Sequence, residues 1–223
     1  MNSDIYLDIG NSNSKWKYKG KYFSKNTNEF NIWDLPKAQR VWVSNVSHHS
    51  FKDSKNEFVF VESKSTYKSL KNAYLNPKSL GTDRWLAMIS SYEMTHDMGF
   101  ILIDIGTAIT IDVVDNFGHH HGGLIFPGLA KIQQTFEKFP FKNNVDINGI
   151  GQSTEDAWSI GVLALLINTI NQKMDKLTSR FPDSKIYATG GGFHDLEKYL
   201  DFHYEYHKNL VLDGLEFFAD NMG

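Results

Sequence analysis

The sequence predicts an α/β fold made of two related domains. Two stretches, starting at Ile5 and at Ile101, share one pattern: an apolar run, then Asp-Ile-Gly, then a small polar residue. Each copy predicts a strand, a tight turn at the glycine and a second strand. The copies lie much further apart than the roughly 20–50 residues of a solenoid repeat, which indicates a duplicated domain. We expect domains at residues 1–99 and 100–223.

Composition favours a globular protein and excludes several other classes. Of the 223 residues, 41% are hydrophobic and 22% are charged, and the net charge of −3 argues against nucleic acid as the main partner. The absence of cysteine excludes disulfides and thiolate metal sites. No signal peptide and no apolar tract long enough to cross a bilayer is visible, so we expect a cytoplasmic protein without membrane contact.

The N-terminal copy opens a three-stranded meander, with strands expected at 4–8, 15–18 and 22–23. A short helix at 30–35 ends before Pro36, and further strands follow at 40–44 and 57–61. His48 and His49 are adjacent and cannot share the helical face that i, i+4 metal ligands use, so we interpret them as part of an exposed loop. Residues 64–78 are polar and rich in lysine, which predicts a solvated connector.

A helix is predicted to begin at Gly81-Thr82-Asp83-Arg84 and to end near Gly99. Thr82 is the expected N-cap, and the helix dipole favours a carboxylate such as Asp83 in the first turn. On these local grounds, Asp83 caps the helix start and forms a surface ion pair with Arg84. Such a pair contributes little to stability.

The central hairpin combines a glycine turn with hydroxyl and carboxylate side chains. Gly106 lets the backbone approach a ligand closely, because no Cβ stands in the way. Thr107 and Thr110 supply hydroxyls, and Asp104 and Asp112 supply oxygens that suit a cation. A glycine turn, hydroxyl donors and carboxylates that bind a cation are the groups needed to hold a nucleotide phosphate.

Glycines and one long helix mark the rest of the chain. Three consecutive histidines, 119–121, alternate between the faces of a strand, so they cannot all bind one metal, and we interpret them as a hairpin arm. A glycine-rich stretch at 122–128 leads into a helix at 129–139. Ser153 or Thr154 is expected to cap a helix at 155–177. This helix is apolar nearly all round, so it must be covered on all sides, and a subunit interface is as plausible a cover as full burial in one chain.

Gly190 and Gly191 follow a strand predicted at 186–189. Glycines at the carboxyl end of a strand let a flat ring or a phosphate lie on the backbone. With its two Asp-x-Gly hairpins, the whole chain resembles the actin/hexokinase/Hsp70-like ATPase fold. That resemblance implies a nucleotide cleft between the two domains.

The ordered set of motifs is similar to that of type III pantothenate kinases, also called the Bvg accessory factor family. This chain departs from the family pattern at Ser12, where the family usually has threonine. The serine retains a hydroxyl. The matching segments are Asp8-Ile9-Gly10-Asn11-Ser12, Gly81-Thr82-Asp83-Arg84, Asp104-Ile105-Gly106-Thr107-Ala108 with Thr110 and Asp112, residues 122–128, Thr189-Gly190-Gly191 and residues 210–215.

This resemblance implies transfer of the γ-phosphoryl group of ATP to the primary hydroxyl of pantothenate, the first step toward coenzyme A. Asp83 would then take the hydroxyl proton, which replaces its local interpretation as a cap. Asp104 would bind a monovalent cation, K⁺ or NH₄⁺, while Asp8 and Asp112 would act through waters of Mg²⁺. The implied partners are ATP, pantothenate and a second copy of the chain in a homodimer.

The resemblance also assigns binding residues. The implied ATP-binding residues are Asp8, Ile9, Gly10, Asn11, Ser12, Asn13, Ser14, Lys15, Thr107, Gly190 and Gly191. The implied pantothenate-binding residues are Tyr74, Gly81, Thr82, Asp83, Arg84 and Thr154, the last supplied near the dimer helix.

Two alternatives remain open from the sequence. One is another small-molecule kinase on the same fold, such as a sugar kinase, because fold alone does not determine the substrate. The Gly-x-Asp-Arg and Gly-Gly-x-Ile-x-Pro-Gly elements favour pantothenate over it. The other is a regulatory homologue without turnover, against which the intact Asp8, Asp83, Asp104 and Asp112 argue.

Overall fold

The computed structural model describes residues 4–45, 55–95 and 98–222. The predicted loop around His48 and His49 lies outside the described residues. The chain forms two compact units. Unit 1 comprises Met1–Asp97, Asn116–Gly122 and Asn209–Gly223, and unit 2 comprises Met98–Asp115 and Gly123–Lys208.

Unit 1 is built on a five-stranded sheet. Its strands are β1 (Ile5–Ile9), β2 (Asn13–Tyr18), β3 (Lys21–Asn26), β4 (Arg40–Asn45) and β5 (Glu57–Phe60), in the order β3-β2-β1-β4-β5. The first three strands form the predicted antiparallel meander, and β4 runs parallel to both β1 and β5. The apolar residues of β1 and β4 form its core together with Trp16 and Leu35.

The stretch predicted as a solvated connector is instead partly folded. It contains a small antiparallel hairpin of β6 (Thr66–Tyr67) and β7 (Leu70–Lys71). The prediction was wrong because Tyr67 and Leu70, 4% and 0% exposed, bury their side chains despite the polar surroundings. The helix expected at 30–35 is a single 3-10 turn, Ile32–Asp34, capped by the Asn31 side chain.

Two helices complete unit 1, α1 (Thr82–Thr95) and, from the far end of the chain, α5 (Leu210–Asp220). They approach so closely that a Cβ on Gly214 would stand 1.8 Å from the carbonyl oxygen of Leu86. Lys17 on β2 forms ion pairs with Asp213 at 2.8 Å and with Glu216 at 2.6 Å. The C-terminal segment therefore packs in unit 1, whereas the sequence placed it in the predicted domain 100–223.

Thr82 does not occupy the N-cap position that the sequence predicted. It is the first residue of α1, and its hydroxyl lies 3.5 Å from the carbonyl oxygen of Val61. The Gly81 carbonyl accepts the N–H of Trp85 at 3.0 Å, which starts the helix one residue earlier than expected.

Unit 2 repeats the same strand arrangement. Its strands are β8 (Phe100–Ile105), β9 (Ala108–Val114), β10 (His120–Pro127), β11 (Lys185–Thr189) and β12 (Glu205–Tyr206), in the order β10-β9-β8-β11-β12. The start of β10, through Gly122, is assigned to unit 1. β8 pairs antiparallel with β9, and β11 is parallel to both β8 and β12. Both sheets thus place their first strand centrally, which is the duplication that the repeated Asp-Ile-Gly pattern predicted.

The long helix of unit 2, α3 (Thr154–Arg180), lies on its sheet, with the buried Leu163, Ile167 and Ile170 in the core. The Ser153 side chain accepts the N–H of Asp156, which confirms the predicted cap. The description of this helix as apolar nearly all round was wrong, because its exposed side includes polar residues as well as apolar ones. That side carries Ala157, Gly161, Leu165, Asn168 and Gln172.

Two short helices remain, α2 (Leu129–Gln133) and α4 (Phe193–Leu196). α2 continues as a 3-10 turn, Gln134–Phe136, and is shorter than the helix predicted at 129–139. Within the part of the chain that is described, no helix has both the length and the apolar character needed to span a membrane.

Candidate active site

The first glycine turn joins β1 to β2 in unit 1. Asp8 and Lys15 are direct partners across the two strands, so their side chains emerge on the same face. The Gly10 N–H donates to the Asn13 carbonyl at 3.1 Å, which closes the turn. An opposed carboxylate and ammonium at a closed glycine turn suit a hydrated cation and a phosphate.

Thr27 supports this turn from the end of β3, although no sequence motif pointed to it. Its hydroxyl donates to the Gly10 carbonyl at 2.8 Å, and its N–H donates to the Ser12 carbonyl at 3.0 Å. The same hydroxyl lies 3.2 Å from that of Ser14. Because Thr27 and Ser14 are 5% and 0% exposed, the turn is fixed by buried hydrogen bonds.

A second cluster in unit 1 brings together four of the predicted pantothenate residues. Arg84 donates from Nη1 to the hydroxyl of Tyr74 at 3.0 Å, and its guanidinium lies 5.7 Å from the centre of that ring. The Asp83 carboxylate accepts the N–H of Arg84 at 2.8 Å and stands 2.6 Å from where a Cβ on Gly81 would be. Gly81 therefore leaves the space that the Asp83 carboxylate fills.

The expectation of a surface ion pair at Asp83 and Arg84 was wrong, because Arg84 is only 7% exposed. A buried guanidinium keeps its charge and offers several fixed N–H donors, which suits recognition of a carboxylate. This cluster thus holds one carboxylate and one buried cation next to each other at the start of α1.

His120 joins the same cluster from the segment 116–122. Its ring is stacked on that of Tyr74, with centroids 6.1 Å apart and planes at 11°. Its Nδ1 accepts the N–H of Ala73 at 3.3 Å. The sequence suggested only a hairpin arm here, because three consecutive histidines do not show which of them turns inward.

The second glycine turn, between β8 and β9, is packed closely against Gly128. The Gly106 N–H donates to the Ala108 carbonyl at 3.0 Å, and the Gly128 N–H donates to the Thr107 carbonyl at 3.0 Å. A Cβ on Gly128 would stand 2.2 Å from the Gly106 carbonyl oxygen. Only glycine allows this approach, which explains the Pro-Gly that ends β10.

Gly190 packs on the other side of the same turn. Its φ of +108° lies in the left-handed region, and a Cβ there would stand 2.2 Å from the Ile105 carbonyl oxygen and 2.5 Å from Asp104 Oδ1. Gly192 donates its N–H to the Ile105 carbonyl at 2.9 Å. A Cβ on Gly191, in contrast, would meet no described atom within 4 Å, so its backbone is open to a ligand.

Tyr206 on β12 completes this part of unit 2 and was not predicted. Its hydroxyl donates to the Gly190 carbonyl at 3.4 Å, and its ring stacks on that of Phe193 at 4.7 Å. Burial raises the pKa of Tyr206, and the negative charge of Asp104 adds to the effect. The phenol therefore stays protonated and able to donate near the Asp104 carboxylate.

The predicted residues fall into separate groups. Unit 1 contains the turn at 8–15 and the cluster of Tyr74, Gly81, Asp83 and Arg84, while unit 2 contains Asp104, Thr107 and the glycines at 190–191. Thr154, the exposed first residue of α3, also belongs to unit 2 and lies outside both clusters.

Protein ligands for a metal are sparse. Across the three described ranges, no three His, Asp or Glu side chains are grouped so that they could hold a metal ion by themselves. Asp112, on β9 of unit 2, is fully buried.

Comparison with known proteins identifies the family. The family profile for type III pantothenate kinases matches residues 5–176. The type III pantothenate kinase of Hahella chejuensis is 33% identical, and the match covers 97% of each chain. This chain belongs to the type III pantothenate kinase family. It is therefore a phosphotransferase that uses ATP, with a divalent metal, to phosphorylate pantothenate in coenzyme A biosynthesis.

Solved structures agree with the fold. A crystal structure from Campylobacter jejuni, described as a Baf family transcriptional activator, covers 98% of both chains with a TM-score of 0.67 at 29% identity. A protein from Sinorhizobium meliloti described as a 2-dehydro-3-deoxygalactonokinase covers 97% of this chain and 95% of its own, with a TM-score of 0.61 at 10% identity. The second likeness shows the fold alone, and the predicted ATPase-like kinase fold is confirmed.

Proposed function

We propose that Asp83 is the base of the reaction that the family performs. As the pantothenate hydroxyl oxygen bonds to the γ-phosphorus, the bond to the β-phosphate oxygen breaks, ADP leaves and the hydroxyl proton passes to Asp83. The observation that carries this proposal is the single cluster in which Asp83, Arg84 and Tyr74 meet at the start of α1. Such transfer depends on positioning and charge neutralisation, and one carboxylate suffices to take the proton.

The same cluster would bind pantothenate. Pantothenate carries one carboxylate, and the buried guanidinium of Arg84 matches it in charge and geometry. Tyr74 holds that guanidinium at 3.0 Å, and Gly81 and Thr82 would add contacts from the residues directly before Asp83. Thr154 of a second copy would complete the site.

ATP would lie along both glycine turns. Residues 8–15 would wrap the phosphates, with Lys15 as a point charge and the Thr107 hydroxyl as a further donor. Gly190 and Gly191 would support the adenine ring, because the space above Gly191 is free of described atoms to 4 Å. Mg²⁺ would supply charge neutralisation at the phosphates, reached from Asp8 and Asp112 through its waters.

Asp104 would bind a monovalent cation, K⁺ or NH₄⁺. Its support is a carboxylate at the edge of the phosphate turn, with the Tyr206 phenol staying neutral close by. In an assay with Mg²⁺ held constant, replacing KCl with tetramethylammonium chloride is expected to abolish most turnover. Unchanged turnover would remove Asp104 from this role.

A homodimer would form through the exposed side of α3. Leu165 is 66% exposed there, between the small Gly161 and the polar Asn168, so a second copy would bury apolar surface. Sedimentation at micromolar concentration is expected to give a dimer, and Leu165→Glu is expected to give monomers. A monomeric wild type would contradict the proposal. A cytoplasmic location, where ATP is supplied, accompanies this function.

Substrate choice is tested with γ-labelled ATP against pantothenate, pantetheine and a set of hexoses. Transfer to pantothenate at a kcat/KM at least about a hundredfold above any hexose is expected, because only a carboxylate substrate pairs with Arg84. Transfer to a hexose with no transfer to pantothenate would contradict the assignment of this site.

A further inference from the structure

We propose that His120 is a positioning residue for pantothenate binding, which it affects by holding Tyr74 and, through Tyr74, Arg84. The inference rests on the proposed function, in which Tyr74 and Arg84 contact pantothenate. It concerns a histidine that neither the motifs nor the reaction requires.

Two contacts connect His120 to the side chains proposed to bind pantothenate. The imidazole stacks on the Tyr74 ring with centroids 6.1 Å apart and planes only 11° from parallel. The hydroxyl of Tyr74 accepts the hydrogen bond from Arg84 at 3.0 Å. The three side chains therefore form a row in which each fixes the next.

A hydrogen bond fixes the imidazole itself. The Ala73 N–H donates to Nδ1 at 3.3 Å, so Nδ1 is the acceptor in this bond. This bond attaches the ring to the residue directly before Tyr74. His120 is 4% exposed, whereas His121 is exposed, so only one of the two neighbours is committed to this contact.

Backbone contacts of segment 116–122 hold His120 next to Tyr74. The Lys71 N–H donates to the Gly118 carbonyl at 2.8 Å, and residues 71 and 119 form an isolated parallel bridge. Gly118, at φ +80°, packs so closely that a Cβ would stand 2.7 Å from the Ser69 carbonyl oxygen. The register of segment 116–122 against residues 69–73 is therefore fixed before any substrate arrives.

A fixed row of this kind matters because arginine has many rotamers. A guanidinium that is already held in place loses less conformational freedom when it pairs with the pantothenate carboxylate. Disrupting this row would therefore raise the KM for pantothenate and leave the rate of the chemical step at Asp83 nearly unchanged.

Two variants separate the two contacts. His120→Asn keeps an acceptor near the place of Nδ1 and removes the ring, while His120→Phe keeps a ring and removes the acceptor. Loss of a stacked ring pair or of one hydrogen bond weakens binding about tenfold. Each variant is therefore expected to raise the KM for pantothenate about tenfold. We expect kcat to change less than about threefold and the KM for ATP to stay the same. His121→Asn is the matched control and is expected to match the wild type.

The deciding experiment combines His120→Phe with Tyr74→Leu, with folding of each variant checked by thermal melting. If His120 acts through Tyr74, the double variant has the same KM for pantothenate as Tyr74→Leu alone. A normal KM in both His120 variants, or effects of the two substitutions that simply multiply, would overturn the inference while leaving the proposed site intact. A normal KM in Tyr74→Leu would instead overturn the proposed site itself.

Discussion

Gly190→Ala probes the contact between the loop after β11 and the second phosphate turn. The new Cβ would stand 2.2 Å from the Ile105 carbonyl oxygen and 2.5 Å from Asp104 Oδ1, at a φ of +108°. A side chain in that region of φ costs about 1–3 kcal/mol, and overpacking a close contact costs about 1–3 kcal/mol more. We therefore expect the variant to be destabilised by about 2–6 kcal/mol and its Tm to fall by at least about 4 °C.

The variant should also lose activity. Relieving the contact requires a shift of about 1 Å in the turn that carries Asp104 and Thr107, and a misplacement of that size can cost about a hundredfold in rate. Thermal melting and steady-state kinetics with varied ATP and K⁺ measure the two effects. Both are expected in the same protein, because one contact causes them.

Gly191→Ala is the matched control for stability. Its Cβ would meet no described atom within 4 Å, so the Tm should stay near that of the wild type while the KM for ATP rises, if adenine lies over this residue. A Gly190→Ala protein with wild-type Tm and turnover would refute the reasoning that the turn is packed against Gly190.

Other predictions concern unit 1. Thr27→Val removes the buried hydroxyl that bonds the Gly10 carbonyl, so it should destabilise the protein by about 1–3 kcal/mol and raise the KM for ATP, while Thr27→Ser should resemble the wild type in both assays. Lys17 gives a pH dependence: burial alone would lower its pKa, but hydrogen bonds to Asp213 and Glu216 raise it overall. Its stabilisation is therefore complete below the unfolded pKa of about 10.4 and is lost as the pH rises through the higher folded value. Urea denaturation should show Lys17→Met less stable than wild type at pH 8, with the gap narrowing only above about pH 10.4; an equal gap at every pH would contradict this.

The elements that the sequence predicted well are those with local signals. The Asp-Ile-Gly turns and their flanking strands follow from alternation and from one glycine each, and both antiparallel hairpins formed as expected. What the sequence did not predict is the packing between distant segments. α5 belongs to unit 1 because Gly214 packs on Leu86 and because Lys17 binds Asp213, and neither pairing is visible in a local pattern.

The site shows the same division. Motif residues such as Gly81 and Asp83 could be chosen from the sequence, but the buried state of Arg84 could not, since nearby residues suggested a surface helix start. Thr27 and His120 carry no motif, and their partners lie 17 and 47 positions away in the chain. Such residues are found only when the fold brings the segments together.

The most direct test of the account is Asp83→Asn, measured for turnover, ATP binding and Tm. The amide preserves the shape of the side chain but cannot take the pantothenate proton, and loss of a positioned base typically costs about 10²–10⁴-fold in rate. Loss of a carboxylate at a helix start costs only about 0.3–1 kcal/mol of stability. If Asp83 is the base, the variant folds, still binds ATP and turns over at least about a hundredfold more slowly. A variant that keeps most of its turnover and only melts slightly earlier would show that Asp83 merely stabilises the start of α1.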